Sequence, residues 1–180
     1  MPVDLQPTPR AALVCAVLAP SQEIIDASLS RLARPLGPIA DRSQPYDFDY
    51  TSYYEAEMGS GLIKQLIRFE RSVSLDHLAQ IKTETIALER VMAREEKDQE
   101  VCRAANIDPG LVSVEGLVLA TTKYRGHRLC IAPGRYAETS LLVTKQGTCA
   151  PLEGTYPDYR REDVQDFLLR TRALRLQQRP

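Results

Sequence analysis

AALVCAVLA, residues 11–19, is the stretch from which the fold can be built outward. Nine consecutive apolar residues are too few to cross a bilayer, and they lack the polar alternation of a half-exposed strand, so they read as a central strand. The run lies near the N-terminus but is read as part of the fold rather than as an export signal. Before it, MPVDLQPTPR (1–10) carries three prolines and is expected to be a flexible tail; residues 11–180 are read as a single domain.

Pro20 bounds the strand, and Ser21 follows as an N-cap for a helix with Ile25, Leu29, Leu32 and Leu36 at helical spacing. PIADRSQPYDFDY, 38–50, suits an edge strand despite Pro45. Ser52 and Glu55 match a capping box that opens a short helical turn ending at Gly59. LIKQLIRFERSV, 62–73, alternates: Ile63, Ile67, Phe69 and Val73 on one parity, Lys64, Arg68 and Glu70 on the other. Ser74 then introduces a long helix with Leu78, Ile81, Leu88 and Val91 on one stripe.

VCRAANI, 101–107, reads as a strand, and Asp108-Pro109-Gly110 as the turn that ends it. The order is then βαββαβ, and an α+β protein with a ferredoxin-like core is expected. Strands near 112–122, 127–132 and 135–145 extend that core as C-terminal β-hairpins. A terminal helix follows, with Val164, Phe167, Leu168, Thr171 and Leu174 inward and Arg170, Arg172 and Arg175 outward.

The chain has 180 residues, 43% hydrophobic and 26% charged, with 23 Lys and Arg against 24 Asp and Glu and a formal net charge of −1. Such a balance supplies no global field for DNA or anionic lipid, so any basic site must be local and neither a membrane nor DNA is an expected partner. Cys15, Cys102, Cys130 and Cys149 show no metal-ligand spacing and read as buried reduced thiols of a cytoplasmic protein.

The local concentration of charge is LATTKYRGHRLCIAPGRYAE, 119–138. Tyr124-Arg125-Gly126 reads as a three-residue hairpin loop and Pro133-Gly134 as the next reversal. Closing the first loop makes Lys123 and His127 cross-strand neighbours, about 5 Å apart at Cβ, on a face shared with Thr121. With Pro133 and Gly134 as loop residues, Leu129 faces Glu138, which brings Glu138 diagonal to His127. Lys123 and Arg128 would hold a phosphate or carboxylate, His127 would act as acid or base, and Glu138 would orient it. A one-residue slip would scatter the cluster between two faces. His77, in the first turn of its helix, is not read as catalytic.

Two further segments carry charge. Residues 41–57 hold five acidic side chains and one basic, and Glu55 and Glu57 could hold Mg²⁺ beside a substrate phosphate, although Glu55 also fits the cap. In TYPDYR, 155–160, Asp158 suits the cap of the last helix, and Arg160 flanks that helix N-terminus as a possible anion contact. Tyr136 joins the candidate ligand-binding residues. No phosphate-loop, dinucleotide, nucleophile-elbow or zincin motif occurs.

At YYEAEMG (53–59), FERSVS (69–74), LAQIK (78–82), NIDPG (106–110), LVLATTK (117–123), HR (127–128), GRYAET (134–139) and TYPDYR (155–160) the chain resembles the bacterial and archaeal domain-of-unknown-function family DUF4416. The resemblance runs from about residue 11 to about 175 and implies no known activity. Arg135 stands where the family pattern has isoleucine, and Gly154 where it has tryptophan. The expectation is a nucleotide or other phosphorylated small molecule as ligand, with hydrolysis or transfer as the reactions open to it. The alternatives are an RNA-binding module and a non-enzymatic protein-interaction domain.

Overall fold

The computed structural model describes residues 7–95 and 103–177. Strand β1, Arg10–Ala19, has Ala11 through Ala19 all buried, as a strand covered on both faces must. Of the expected tail, residues 1–6 lie outside the described residues; Arg10 already pairs with Ser74. Helix α1, Gln22–Leu36, starts at Ser21, whose hydroxyl accepts from the Ile24 N–H at 3.4 Å, and stops at Gly37 with φ +91°.

Two short strands, β2 (Ile39–Arg42) and β3 (Tyr46–Asp47), flank Pro45 and pair side by side with β4, Ile63–Ser74. Between them lies helix α2, Glu55–Met58, after a 3-10 turn at 52–54. That turn is capped by Thr51, whose hydroxyl accepts from the Tyr53 N–H, so the expected Ser52–Glu55 capping box is displaced by one residue. Helix α3, Leu78–Glu95, is followed by β5 (Asn106–Val112), β6 (Gly116–Thr121), β7 (Leu129–Ala132), β8 (Arg135–Val143), β9 (Cys149–Pro151) and helix α4 (Glu162–Gln177). Within the expected strand 101–107, Val101 and Cys102 lie outside the described residues.

The architecture is α+β, one antiparallel sheet in the order β2-β4-β1-β5-β6-β8-β7, with β3 beside β4 and β9 beside β8. Alternation in the strands sends side chains to two cores. Leu13, Cys15, Val17, Ile67, Phe69 and Ile107 meet α1 and α3 on one face. Ala12, Val14, Ala16, Leu66 and Leu117 meet Val164, Phe167 and Leu168 of α4 on the other. Burying each such large side chain contributes about 1.5–3 kcal/mol, which is why the wholly apolar strand takes the centre. No helix among the described residues is long and apolar enough to cross a membrane.

Asp108-Pro109-Gly110 is not a turn. It lies inside β5, with Pro109 opposite Cys15, and the reversal comes later, where Ser113 N–H donates to Gly116 O. Nor do the expected 112–122 and 127–132 strands form a hairpin. β8 inserts between β6 and β7, so of the two turns expected in 119–138 only Pro133-Gly134, with Gly134 at φ +69°, joins neighbours in the sheet. Leu129 faces Ala137 rather than Glu138, because a register shift lies between Cys130 and Ala132.

Packing corrects several assignments of burial. Val91 and Leu174 are exposed, and α3 instead buries Lys82, Thr85 and Glu89. Arg172, read as outward, donates to Val114 O at 2.6 Å. Of the cysteines, Cys15 is buried, Cys149 half-buried and Cys130 exposed; Cys102 is outside the described residues.

Candidate functional site

The β5–β6 ladder runs only from Gly110↔Leu119 to Val112↔Leu117. Continuing it would put Pro109 opposite Ala120, and proline has no N–H to donate, so the ladder ends there. Upstream of Pro109 the edge of β5 is bonded by side chains of α3 instead. Glu89 Oε1 accepts from the Ile107 N–H at 2.7 Å, and Lys82 Nζ donates to Ile107 O at 2.8 Å. The two strands therefore part, and the gap opens into a cleft of about 480 Å³.

The wall nearest β5 is a chain of ion pairs. Lys82 Nζ also donates to Asp108 Oδ1 at 3.0 Å, Asn106 Nδ2 donates to Asp108 Oδ2 at 2.7 Å, and Arg103 joins Glu89 to the Asn106 side-chain oxygen. Burial pushes the Asp108 carboxyl upward, but Lys82, Lys64 and the two side-chain donors outweigh it and hold it below the usual carboxylate range. At Glu89 the balance reverses: burial prevails over Lys82 and Arg103, and the carboxyl is held above its ordinary value.

The turn before α4 closes the cleft from another side. Asp158, 1% exposed, accepts from Lys64 Nζ at 2.5 Å and from the Tyr46 hydroxyl at 3.0 Å. It therefore does not cap α4. Lys64, on the polar parity of β4, is buried by that pairing and lies against the rings of Phe48 and Tyr159.

The remaining wall is the 119–138 segment. Thr121, Lys123, Arg125, His127, Arg128 and Glu138 line the cleft together. They arrive there without the first hairpin: residues 122–128 form a loop, tightened where Thr121 Oγ1 accepts from Lys123 N–H and Arg125 O accepts from Arg128 N–H. Arg128 is committed to structure. Its guanidinium bonds the buried Glu138 carboxylate through Nε, Lys123 O through Nη1 at 2.7 Å and the Tyr156 hydroxyl through Nη2 at 2.6 Å. His127 Nε2 lies 3.5 Å from the same Glu138 oxygen, with the imidazole half exposed. Glu138 is thus first the partner of Arg128 and only second that of His127.

Four expected residues do not line the cleft. Arg160 clamps loop carbonyls, donating to Leu152 O at 2.6 Å and to Thr155 O at 3.4 Å. Tyr136 packs against Tyr124, ring centroids 5.4 Å apart. Glu55 is exposed and Glu57 lies 3.5 Å from Arg103; neither is among the residues that line the cleft. Conversely, Lys64, Lys82, Glu89, Arg103, Asp108 and Tyr156 were not anticipated. The legible signal was in α3, where Ile81, Thr85, Glu89 and Met92 continue the stripe begun at Leu78.

The last wall is aromatic. Phe48, Tyr50, Tyr53 and Tyr54 line it, with Tyr53 and Tyr54 edge-on at 5.0 Å and Lys123 Nζ 3.5 Å above the Tyr53 ring. Burial pushes the Tyr54 and Tyr156 hydroxyls above their ordinary range.

Fold and site together define an α+β protein with a charged, tyrosine-walled cleft where its sheet divides. A family model described as Domain of unknown function (DUF4416) matches residues 9–174, and the chain belongs to that family. No curated protein and no solved structure matches the chain.

Proposed function

We propose that this is a cytoplasmic protein whose cleft binds a nucleotide or other phosphorylated small molecule. One observation carries the reading. Each carboxylate lining the cleft, Glu89, Asp108, Glu138 and Asp158, has its own cation, in Arg103, Lys82, Arg128 and Lys64. Lys123 and Arg125 line the same space and, among the described residues, have no carboxylate partner. Two uncompensated cations at the mouth of a concave site attract an anion, and the neighbouring tyrosines offer ring faces and hydroxyls to the rest of it.

His127 is the candidate proton carrier, because its imidazole is accessible and stands beside the buried Glu138. Transfer or hydrolysis of the phosphoryl group would use it; binding alone would not. The volume of the cleft, about 480 Å³, lies within the range of small-molecule sites. We also read β2-β4-β1-β5 with α1 and α3 as the ferredoxin-like plan, on the support of its strand order.

The test is a thermal-shift screen of nucleotides and sugar phosphates, with inorganic phosphate release as the second readout. A ligand present at 100 times its Kd stabilises by about 2.7 kcal/mol. Stabilisation by single-stranded RNA alone, or by no phosphate compound at all, would count against the reading.

A further inference from the structure

We propose that the ligand is a dianionic phosphate monoester attached to a planar ring, bound without a divalent metal ion. This rests on the cleft being the phosphate site argued above, and it follows from how the charges there are already spent.

Six cationic side chains line the cleft, Lys64, Lys82, Arg103, Lys123, Arg125 and Arg128, against four carboxylates. The four pairs are closed to outside ligands to different degrees, but none of the carboxylates is unattended. Asp158 accepts from Lys64 and Tyr46, Asp108 from Lys82 and Asn106, Glu89 from Arg103 and the Ile107 N–H, and Glu138 from Arg128. A magnesium–polyphosphate complex is held through one or two protein carboxylates that face the metal. Here each carboxylate already faces a cation within hydrogen-bond distance, so a metal ion beside it would meet like charge.

The surplus is two positive charges, and both come from one loop, on either side of Tyr124. A phosphate monoester near neutral pH carries between one and a half and two negative charges, which two cations match. A free triphosphate carries about twice that and would leave charge uncompensated in the cleft. The ring assignment comes from Lys123. Its ammonium already lies 3.5 Å from the Tyr53 ring centroid and 5.3 Å from that of Tyr54, so a phosphate on Lys123 brings its own substituent against the Phe48–Tyr54 aromatic wall. Planar groups stack there; a flexible aliphatic chain does not use those faces.

Isothermal titration of the full chain at pH 8 tests this with adenosine and uridine 5′-monophosphates, the matching triphosphates with and without MgCl₂, the two nucleosides and inorganic phosphate. The expected result is that at least one monophosphate binds about tenfold or more tighter than its triphosphate, its nucleoside and inorganic phosphate, unchanged by EDTA. Lys123→Ala and Arg125→Ala, both on an exposed loop, each weaken that binding by about tenfold or more. A triphosphate that binds more tightly, or monophosphate binding that EDTA abolishes, overturns the monoester assignment while the phosphate site stands. Inorganic phosphate binding as tightly as the monoesters removes the ring. If no phosphate compound binds, both this inference and the reading beneath it fail.

Discussion

Glu89 of α3 accepts the main-chain N–H of Ile107 at 2.7 Å, taking the place that a neighbouring strand would occupy at that edge of β5. The second oxygen of Glu89 binds Arg103, so one helix carboxylate both finishes a strand edge and anchors the ion pairs of the cleft. A buried N–H left without an acceptor costs about 1–3 kcal/mol, whereas the partly exposed Arg103 keeps Glu57 and Asn106 as partners. Glu89→Leu is therefore expected to destabilise the protein by about 1–3 kcal/mol, and Glu89→Gln, which keeps an acceptor, by clearly less. Urea unfolding followed by circular dichroism measures the difference; equal losses in the two variants would show that the hydrogen bond to Ile107 is not what matters.

Lys82 makes the complementary contact, and its removal should be as severe. Lys82→Met preserves the aliphatic stem but leaves Ile107 O without a donor and Asp108 with Asn106 alone, at a cost of about 1–3 kcal/mol. In the double variant with Asp108→Asn the unpaired charge is gone, so much of the loss should be recovered. Additive effects in that double-mutant cycle would refute coupling across the gap in the sheet.

Acid stability provides a third check. Because Asp108 is held below its ordinary value of 3.8 in the folded protein, its ionised form contributes stability above that pH, and the contribution is lost as pH falls through the lower, folded value. Glu89, held above its ordinary 4.5, acts oppositely: its contribution is present below 4.5 and lost as pH rises through the folded value. The melting-temperature gap between wild type and Asp108→Asn should be widest above pH 4 and close as the pH drops below 3.8. A gap that stays constant from pH 6 to pH 2.5 would contradict the depressed Asp108 carboxyl.

Gly154 governs access to His127. A Cβ placed on Gly154 would stand 3.4 Å from His127 Nε2, so a large side chain there must cover or displace the imidazole. Gly154→Trp is expected to slow diethyl pyrocarbonate modification of His127 severalfold while exposed His77 reacts as before. Unchanged reactivity at His127 would mean that the ring has room to escape into solvent.

How much of this was legible in the sequence differs by level. Side-chain pattern placed α1, α3, α4, β1 and β4: apolar positions three and four apart, or alternating, record which face an element buries, and the unbroken apolar run of β1 records burial on both. The 119–138 segment announced itself through its density of charge, and Thr121, Lys123, His127 and Glu138 do meet around one cleft. They meet by another route than the expected hairpin. An antiparallel strand leaves the choice of neighbour open, and the Pro133-Gly134 turn secures only the β7–β8 pair.

Pro109 marks the boundary between the two kinds of knowledge. Beside Gly110 it reads locally as a turn, and its missing N–H is the same fact in either reading. In the folded chain that absence ends a ladder instead of starting a reversal, since β1 is present on the other side to hold residues 106–112 extended. Away from residues 108–110, most strand and helix identity was a local property, determined by side-chain pattern. The cleft was not, because Lys64, Lys82, Glu89, Asp108 and Asp158 are stable inside the protein only as partners, and partners as distant in sequence as Lys64 and Asp158 are chosen by packing.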